Sequence, residues 1–143
     1  MNITTICDLA LLTTDELEEY VSENATNYSH YGLPVIKIDG EEFAIAMNDK
    51  EADKACYEYI ENTIWAFSPY FLEQMTDVPA GIFEALHDKC DLINEELQIL
   101  VMSTCGMDCF VEQAISDDGR GYFIAICDGK EIELDNGAYA YQI

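Results

Sequence analysis

The chain has 143 residues, half of them hydrophobic, and 29 acidic against six basic side chains, which gives a formal net charge of −23 at pH 7. Acidic disordered proteins lack such apolar content, so one folded acidic domain over residues 1–143 is predicted. The charge excludes direct binding of nucleic acid, because no basic patch exists to contact phosphates. No run approaches the roughly 18 apolar residues of a membrane span, and no basic leader indicates export. We therefore expect a cytoplasmic protein without a membrane partner.

The first predicted helix begins at a capping box. Thr13 is followed three residues later by Glu16, and this spacing lets each side chain bond the backbone amide of the other residue. The helix is expected to run to about Ala25, with Leu17 and Val21 on its buried side. The next segment, Asn24 to Gly32, is polar and aromatic and is predicted as a loop.

A β-hairpin and two helices are predicted next. Two β-rich runs, 34–39 and 42–47, are joined at Asp39-Gly40, and an Asp-Gly pair between such runs is typical of a tight hairpin. Apolar residues at helical spacing then predict a helix from Asp49 to about Phe67. A shorter helix is predicted over residues 70–75 after a Ser-Pro start.

The second half is predicted as two helices followed by strands. A long helix is expected from about residue 77 to Met102, and a short one over 108–115. The runs 122–127, 131–134 and 138–142 predict a C-terminal three-stranded meander. The fold class is therefore α+β, with helices packed on small antiparallel sheets, an internal β-hairpin and this meander.

The cysteines offer two candidate sites. Cys105 and Cys109 form the tightest pair, but structural zinc requires a second Cys or His pair that the sequence lacks, so ordinary thiols are favoured. His87 and Cys90 are three residues apart on a predicted helix, where a base could activate a thiol. The simpler interpretation is a surface histidine beside a core cysteine. Without an export signal, the six cysteines, with Cys56 and Cys90 on apolar stripes, are predicted to be reduced.

A metal-dependent enzyme is a further alternative. Asp117, Asp118 and Asp128 flank the predicted C-terminal hairpin, and such chemistry needs converging carboxylates. Chance convergence is easy among 29 acidic residues, which weakens the interpretation. We therefore predict no catalytic residue, no metal ligand and no cofactor.

The only arginine, Arg120, lies between two glycines. It is predicted to form a structural ion pair with Asp117, Asp118 or another carboxylate. The alternating Glu131, Glu133 and Asp135 are predicted to form a solvated strand face.

Carboxylates recur at three- and four-residue steps on one predicted helix and, with a gap between Glu51 and Glu58, on a second. A rise of 1.5 Å per residue places them about 4.5 to 6 Å apart along the axis, close to the spacing of phosphates along one strand. A solvated helix face explains this periodicity but not the scarcity of lysines, because ordinary surfaces mix both signs. The predicted partner-binding residues are Glu16, Glu19, Glu23, Glu51, Glu58 and Glu61.

Several C-terminal motifs suggest an origin. Asp118-Gly-Arg-Gly-Tyr-Phe123, Asp128-Gly-Lys-Glu131 and Ile64-Trp-Ala-Phe67 resemble segments of small uncharacterised proteins predicted in bacteriophage and bacterial genomes. Those proteins commonly end in Asp-Gly-Arg-Gly-His-Phe-Leu, whereas Tyr122 stands here at the histidine position. The resemblance implies a phage or bacterial origin and brings no activity with it.

The leading hypothesis is a non-enzymatic phage or mobile-element protein that mimics nucleic acid. Its partner would be a basic nucleic-acid-binding host protein, such as a restriction or CRISPR nuclease or a transcription factor, which it would inhibit. The first alternative is a protein–protein adaptor that binds through exposed aromatics such as Tyr28, Tyr31 or Tyr70. A halophilic origin is another explanation of the charge, and a homodimer is left open.

Overall fold

The computed structural model describes residues 2–143, which divide into two compact units. The chain up to Cys56 and from Asp118 to Ile143 forms one unit, called the sheet unit below, and residues 57–117 form the helical unit. The predicted α+β class is confirmed by a mixture of helices with one five-stranded antiparallel sheet. The prediction of a single domain over residues 1–143 stays a prediction.

The sheet unit contains five strands in the order β1-β2-β3-β5-β4, every neighbouring pair antiparallel. The C-terminal strand therefore pairs with the N-terminal hairpin in a single sheet. The elements of the unit are a 3₁₀ helix Ile6–Leu11, α1 Thr14–Asn24, β1 Ala25–His30, β2 Leu33–Ile38, β3 Glu41–Ala46, the first part of α2 Asp49–Asn62, α7 Arg120–Ile124, β4 Glu131–Glu133 and β5 Tyr139–Gln142.

Two tight turns connect the first three strands. Asp39 and Gly40 both have positive φ, 51° and 80°, as a type I′ hairpin turn requires, which confirms the predicted hairpin. Tyr31 and Gly32 repeat this geometry with φ of 50° and 81°. The loop prediction for residues 24–32 is therefore wrong, because β1 occupies most of that segment. It is a polar edge strand with an irregular register, so it shows no alternating hydrophobic pattern.

The predicted C-terminal three-stranded meander is also wrong. Residues 120–124 form the short helix α7. The Ala125 amide donates a hydrogen bond to the Gly121 carbonyl at 2.9 Å, and this bond extends the helix. A short apolar run such as Tyr122–Cys127 suits a buried strand or a buried helix equally well, so the sequence pattern could not separate them. Only β4 and β5 remain as strands of this region, and both belong to the one sheet.

One side of the sheet is covered by α1. Leu17 and Val21 of this helix are buried and belong to the same apolar cluster as Ile36, Phe43 and Ile45 of the sheet. The burial of these side chains is the main favourable contribution to folding of the unit. The polar side of α1 is left exposed by this arrangement.

The helical unit contains an aromatic cluster in which Phe67 and Phe71 stack and Phe110 meets both edge-on, with ring centroids 5.1 to 5.2 Å apart. The predicted helix over 49–67 ends earlier, at Asn62. The elements of the unit are the end of α2, a 3₁₀ turn Ile64–Ala66, α3 Pro69–Thr76, α4 Ala80–Leu86, a 3₁₀ segment His87–Ile93, α5 Asn94–Ser103 and α6 Met107–Asp118.

The long helix predicted from residue 77 to Met102 is broken in the middle. Cys90 has non-helical angles, φ 51° and ψ −134°, and is exposed, so its predicted place in the core is wrong. Asn94 is buried, and its side-chain amide donates to the Glu61 carbonyl at 2.9 Å while its oxygen accepts from the Trp65 amide at 3.3 Å. These long-range hydrogen bonds fix the position at which α5 begins, and helical periodicity cannot reveal them.

Gly121 allows α7 to approach β4 closely. A Cβ atom at this position would lie 2.6 Å from the Glu131 amide nitrogen and 2.8 Å from the Gly129 carbonyl oxygen, both backbone atoms that cannot move aside. We expect Gly121→Ala to lower the free energy of unfolding by about 2 kcal/mol or more, as for overpacked cores. Gly81→Ala, in α4 with open space around it, should raise it by about 0.5 to 1 kcal/mol. Urea unfolding of both variants measures the difference, and equal effects would contradict this packing.

Candidate acidic interface

The N-terminus of α1 is fixed by the predicted capping box. The Glu16 amide donates to Thr13 Oγ1 at 3.2 Å, and the Thr13 amide donates to Glu16 Oε1 at 3.1 Å. This bond from the Thr13 backbone lowers the pKa of Glu16, so its carboxylate is charged at neutral pH. Glu16 therefore combines a structural role with its place on the surface.

Most of the exposed residues of α1 are acidic. The 11 residues of the helix include no lysine or arginine, and its five carboxylates are all exposed. Glu16, Glu19 and Glu23 share one face because three- and four-residue steps return to the same side of a helix. We call this surface the α1 acidic face; it comprises Asp15, Glu16, Glu18, Glu19 and Glu23.

The three predicted residues on α2 form a weaker candidate. Glu58 is exposed, whereas Glu51 and Glu61 are half-buried. Lys54 lies three residues after Glu51 and four before Glu58, which places a positive charge on the same helix face between the two carboxylates. The α2 carboxylates are therefore interrupted by a cation, unlike those of α1.

The charge is divided evenly between the two units. The sheet unit has 17 acidic and five basic residues, a net charge of −12, and the helical unit has 12 acidic residues and one lysine, a net charge of −11. Neither unit can offset the charge of the other. The scarcity of cations is thus a property of both.

Arg120 is surrounded by carboxylates within the sheet unit. Its guanidinium contacts Glu131 Oε2 at 2.8 Å, Asp49 Oδ1 at 3.0 Å and Asp53 Oδ1 at 3.1 Å, and its side chain is 12% exposed. It lies over the Tyr139 ring, 4.5 Å from the centroid. The predicted structural ion pair thus exists with carboxylates other than Asp117 and Asp118. We call Arg120, Asp49, Asp53, Glu131, Tyr139 and Tyr141 the Arg120 cluster.

Glu131 accepts more hydrogen bonds than the other two carboxylates of the Arg120 cluster. It accepts two hydrogen bonds from Arg120 at 2.8 and 3.1 Å, and a third from the Tyr141 hydroxyl at 2.5 Å. Glu131, Glu133 and Asp135 are all exposed, as predicted, but Glu131 also pairs with Arg120. Burial opposes the charge of Arg120, but the bond to Glu131 and the neighbouring negative charges keep the pKa of Arg120 above its usual range. Burial, followed by the bond to Glu131, raises the pKa of Tyr141.

The sequence could not have located this cluster fully. A lone arginine among acids indicates an ion pair, but Asp49 and Asp53 are about 70 positions away along the chain. Only the pairing of β3 with β5 brings these segments into one unit. No local signal predicts that pairing.

The other predicted sites receive less support. Within residues 2–143 no group of three or more His, Cys, Asp or Glu side chains is arranged to hold a metal ion, and Asp117, Asp118 and Asp128 belong to none. The Cys90 thiol bonds the backbone carbonyl of His87 at 4.0 Å, not its imidazole. Both residues line a cavity of about 10 Å³, which holds one water molecule at most.

Exposed aromatics are present as the adaptor hypothesis requires. Tyr70 on α3 is 70% exposed and Tyr28 on β1 is 47% exposed. Tyr31 is half-buried, and its ring meets that of His30 edge-on with centroids 4.7 Å apart.

No protein-family model matches this chain, and neither a curated protein nor a solved structure matches it significantly. Across residues 2–143, no helix has both the length and the apolar character needed to cross a bilayer.

The Arg120 cluster predicts a graded response to neutralisation. Glu131 has a side chain 27% exposed and several partners, so Glu131→Gln should lower the free energy of unfolding by about 2 kcal/mol. Asp53 is 61% exposed, so Asp53→Asn should cost less than about 1 kcal/mol. Chemical denaturation at neutral pH distinguishes the two. A larger loss from Asp53→Asn would show that Glu131 is not the main partner.

The free energy of unfolding should fall at alkaline pH because of Cys56. Burial raises the pKa of this thiol from its ordinary 9.0 to about 12, and the thiol contacts the Arg120 carbonyl oxygen at 3.8 Å. As the pH rises, the unfolded chain loses this proton before the folded protein does. The contribution of the protonated thiol to the free energy of unfolding is therefore complete below pH 9 and is lost progressively between pH 9 and about pH 12.

The slope from one such group is about 1.4 kcal/mol per pH unit. Cys56→Ala should therefore reduce the decline of unfolding free energy above pH 9, whereas Cys7→Ala, at an exposed thiol, should not. Urea titrations at several pH values measure the slopes. Identical slopes in wild type and Cys56→Ala would contradict the prediction.

Proposed function

We propose that this protein is a non-enzymatic nucleic-acid mimic that inhibits a basic nucleic-acid-binding protein of a bacterial host. The observation that supports the proposal best is the α1 acidic face: five exposed carboxylates and no cation on one helix that packs its other side on the sheet. In this proposal the protein acts in the cytoplasm and presents carboxylates where the partner expects phosphates.

The linear charge density of α1 supports this role. At a rise of 1.5 Å per residue its 11 residues span about 16 Å, so its five carboxylates occur about once per 3.3 Å of axis. One strand of B-DNA has one phosphate per 3.4 Å of axis. A groove lined with lysine and arginine would therefore meet a similar number of anions over the same length.

Averaged over its whole surface, the protein is less dense in charge than DNA. A net charge of −23 over an accessible surface of 8126 Å² gives about one charge per 350 Å². A DNA cylinder about 20 Å wide has roughly one per 100 Å². The net negative charge of the whole protein thus attracts a basic partner at long range, and α1 supplies the high local density of carboxylates that direct contact requires.

A matched pair of variants tests the role of α1. Glu16→Gln, Glu19→Gln and Glu23→Gln together remove three charges while glutamine at position 16 preserves the capping box. Glu41→Gln, Glu133→Gln and Asp135→Asn remove three exposed charges elsewhere in the sheet unit. Both triple variants keep a net charge of −20, so only the location differs.

We expect the α1 variant to bind a basic DNA-binding protein at least about tenfold more weakly than wild type, a loss of about 1.4 kcal/mol. The control variant should lose much less. Purified restriction and CRISPR nucleases and transcription factors form the panel, with affinity measured by calorimetry at several salt concentrations. Equal losses in both variants would reject α1 as the mimicking surface, and binding indifferent to salt would reject mimicry.

The adaptor alternative is favoured by the exposure of Tyr28 and Tyr70. It predicts that Tyr28→Ala or Tyr70→Ala abolishes partner binding while the α1 triple variant binds normally. The same calorimetric panel separates the two functions.

A further inference from the structure

The helical unit contains an open cavity of about 590 Å³ that is lined in part by sulfur-containing residues. Four sulfur-containing side chains line it, two thiols and two thioethers, and both thiols are free. We call it the sulfur cavity. Its sulfur residues are Met102, Cys105, Met107 and Cys109, and its other walls include Tyr57, Glu61, Gln98 and Asp108.

A tight turn between α5 and α6 brings the four residues together. The Gly106 amide donates to the Val101 carbonyl at 2.8 Å, and Gly106 has φ of +89°, a conformation that glycine adopts without strain. The end of α5, which contains Met102, and the start of α6, which contains Cys109, therefore border the same cavity.

Both thiols border the same cavity, four residues apart around the start of α6, and Cys109 is exposed. Cys105 is half-buried and its sulfur makes only weak contacts, 3.5 Å to the Gly106 carbonyl and 4.0 Å to the Val101 carbonyl. Neither contact would prevent Cys105 from binding a ligand.

The opposite wall of the cavity is fixed by hydrogen bonds. The Gln98 amide donates to the Glu61 carbonyl at 2.6 Å, which ties α5 to α2. The Tyr57 hydroxyl is bonded to the Asp108 carboxylate, so that carboxylate already has a partner. Two thiols and two thioethers therefore remain as soft donors in the cavity, beside Glu61.

We propose that the sulfur cavity binds one Cu(I) ion through the Cys105 and Cys109 sulfurs, with a thioether from Met102 or Met107 completing the site. Thiolate and thioether ligands select soft ions, and Cu(I) is satisfied by two or three such donors. Structural zinc takes four ligands from Cys, His and carboxylates, and residues 2–143 bring no three of these together. The site does not depend on the proposed inhibition of a host protein.

Anaerobic titration of the reduced full-length chain with Cu(I), against a chromophoric Cu(I) chelator, tests the proposal. Wild type should bind one ion, and Cys105→Ser with Cys109→Ser should abolish binding. Met102→Leu with Met107→Leu should weaken it at least about tenfold, since even an outer-shell partner contributes that much. Cys7→Ser with Cys127→Ser, at two exposed thiols outside the cavity, is the matched control and should bind as wild type.

Three outcomes overturn the proposal: one Cu(I) bound by the double serine variant, unchanged affinity in the double leucine variant, or binding lost in the control. Circular dichroism confirms that each variant is folded. Should the serine variant unfold, the double leucine variant decides, because Met102 is 68% exposed and a Met-to-Leu change nearly conserves volume. An unchanged affinity in that variant then overturns the site.

Discussion

The ion pairs of Arg120 connect the two distant chain segments from which the sheet unit is built. The arginine follows α6, whereas Asp49 and Asp53 belong to the first turns of α2, and Glu131 is on the edge strand β4. In a chain with 29 acidic residues, three carboxylates gathered around one point would repel one another without that cation. The guanidinium suits this place because it forms two parallel hydrogen bonds with Glu131 and stacks on Tyr139.

Most of the other carboxylates have no cation nearby in sequence. On α1, burial of Leu17 and Val21 against the sheet orients the helix, and the acidic residues then have no place except the surface. Folding therefore converts a scattered excess of charge into a dense acidic face. The repulsion within that face reduces stability, and the apolar core beneath it offsets this cost.

Local signals were sufficient for part of the fold. The Thr13–Glu16 capping box and the Asp39-Gly40 turn depend on neighbours in sequence, and both are present as predicted. The edge strand β1, the break at Cys90 and the helix α7 depend on tertiary contacts, and sequence patterns missed all three. The α1 carboxylates followed directly from helical spacing, whereas the half-burial of Glu51 and Glu61 on α2 depends on tertiary contacts.

The central claim is that a basic groove accepts this protein in place of a polynucleotide. Displacement of a fluorescent DNA duplex from a basic host protein by the full chain, followed by anisotropy from low to high salt, tests it most directly. Mimicry predicts one-to-one displacement that weakens with added salt in parallel with the binding of DNA itself. A ternary complex in which DNA and the acidic chain are bound together, or displacement that salt does not weaken, would contradict it.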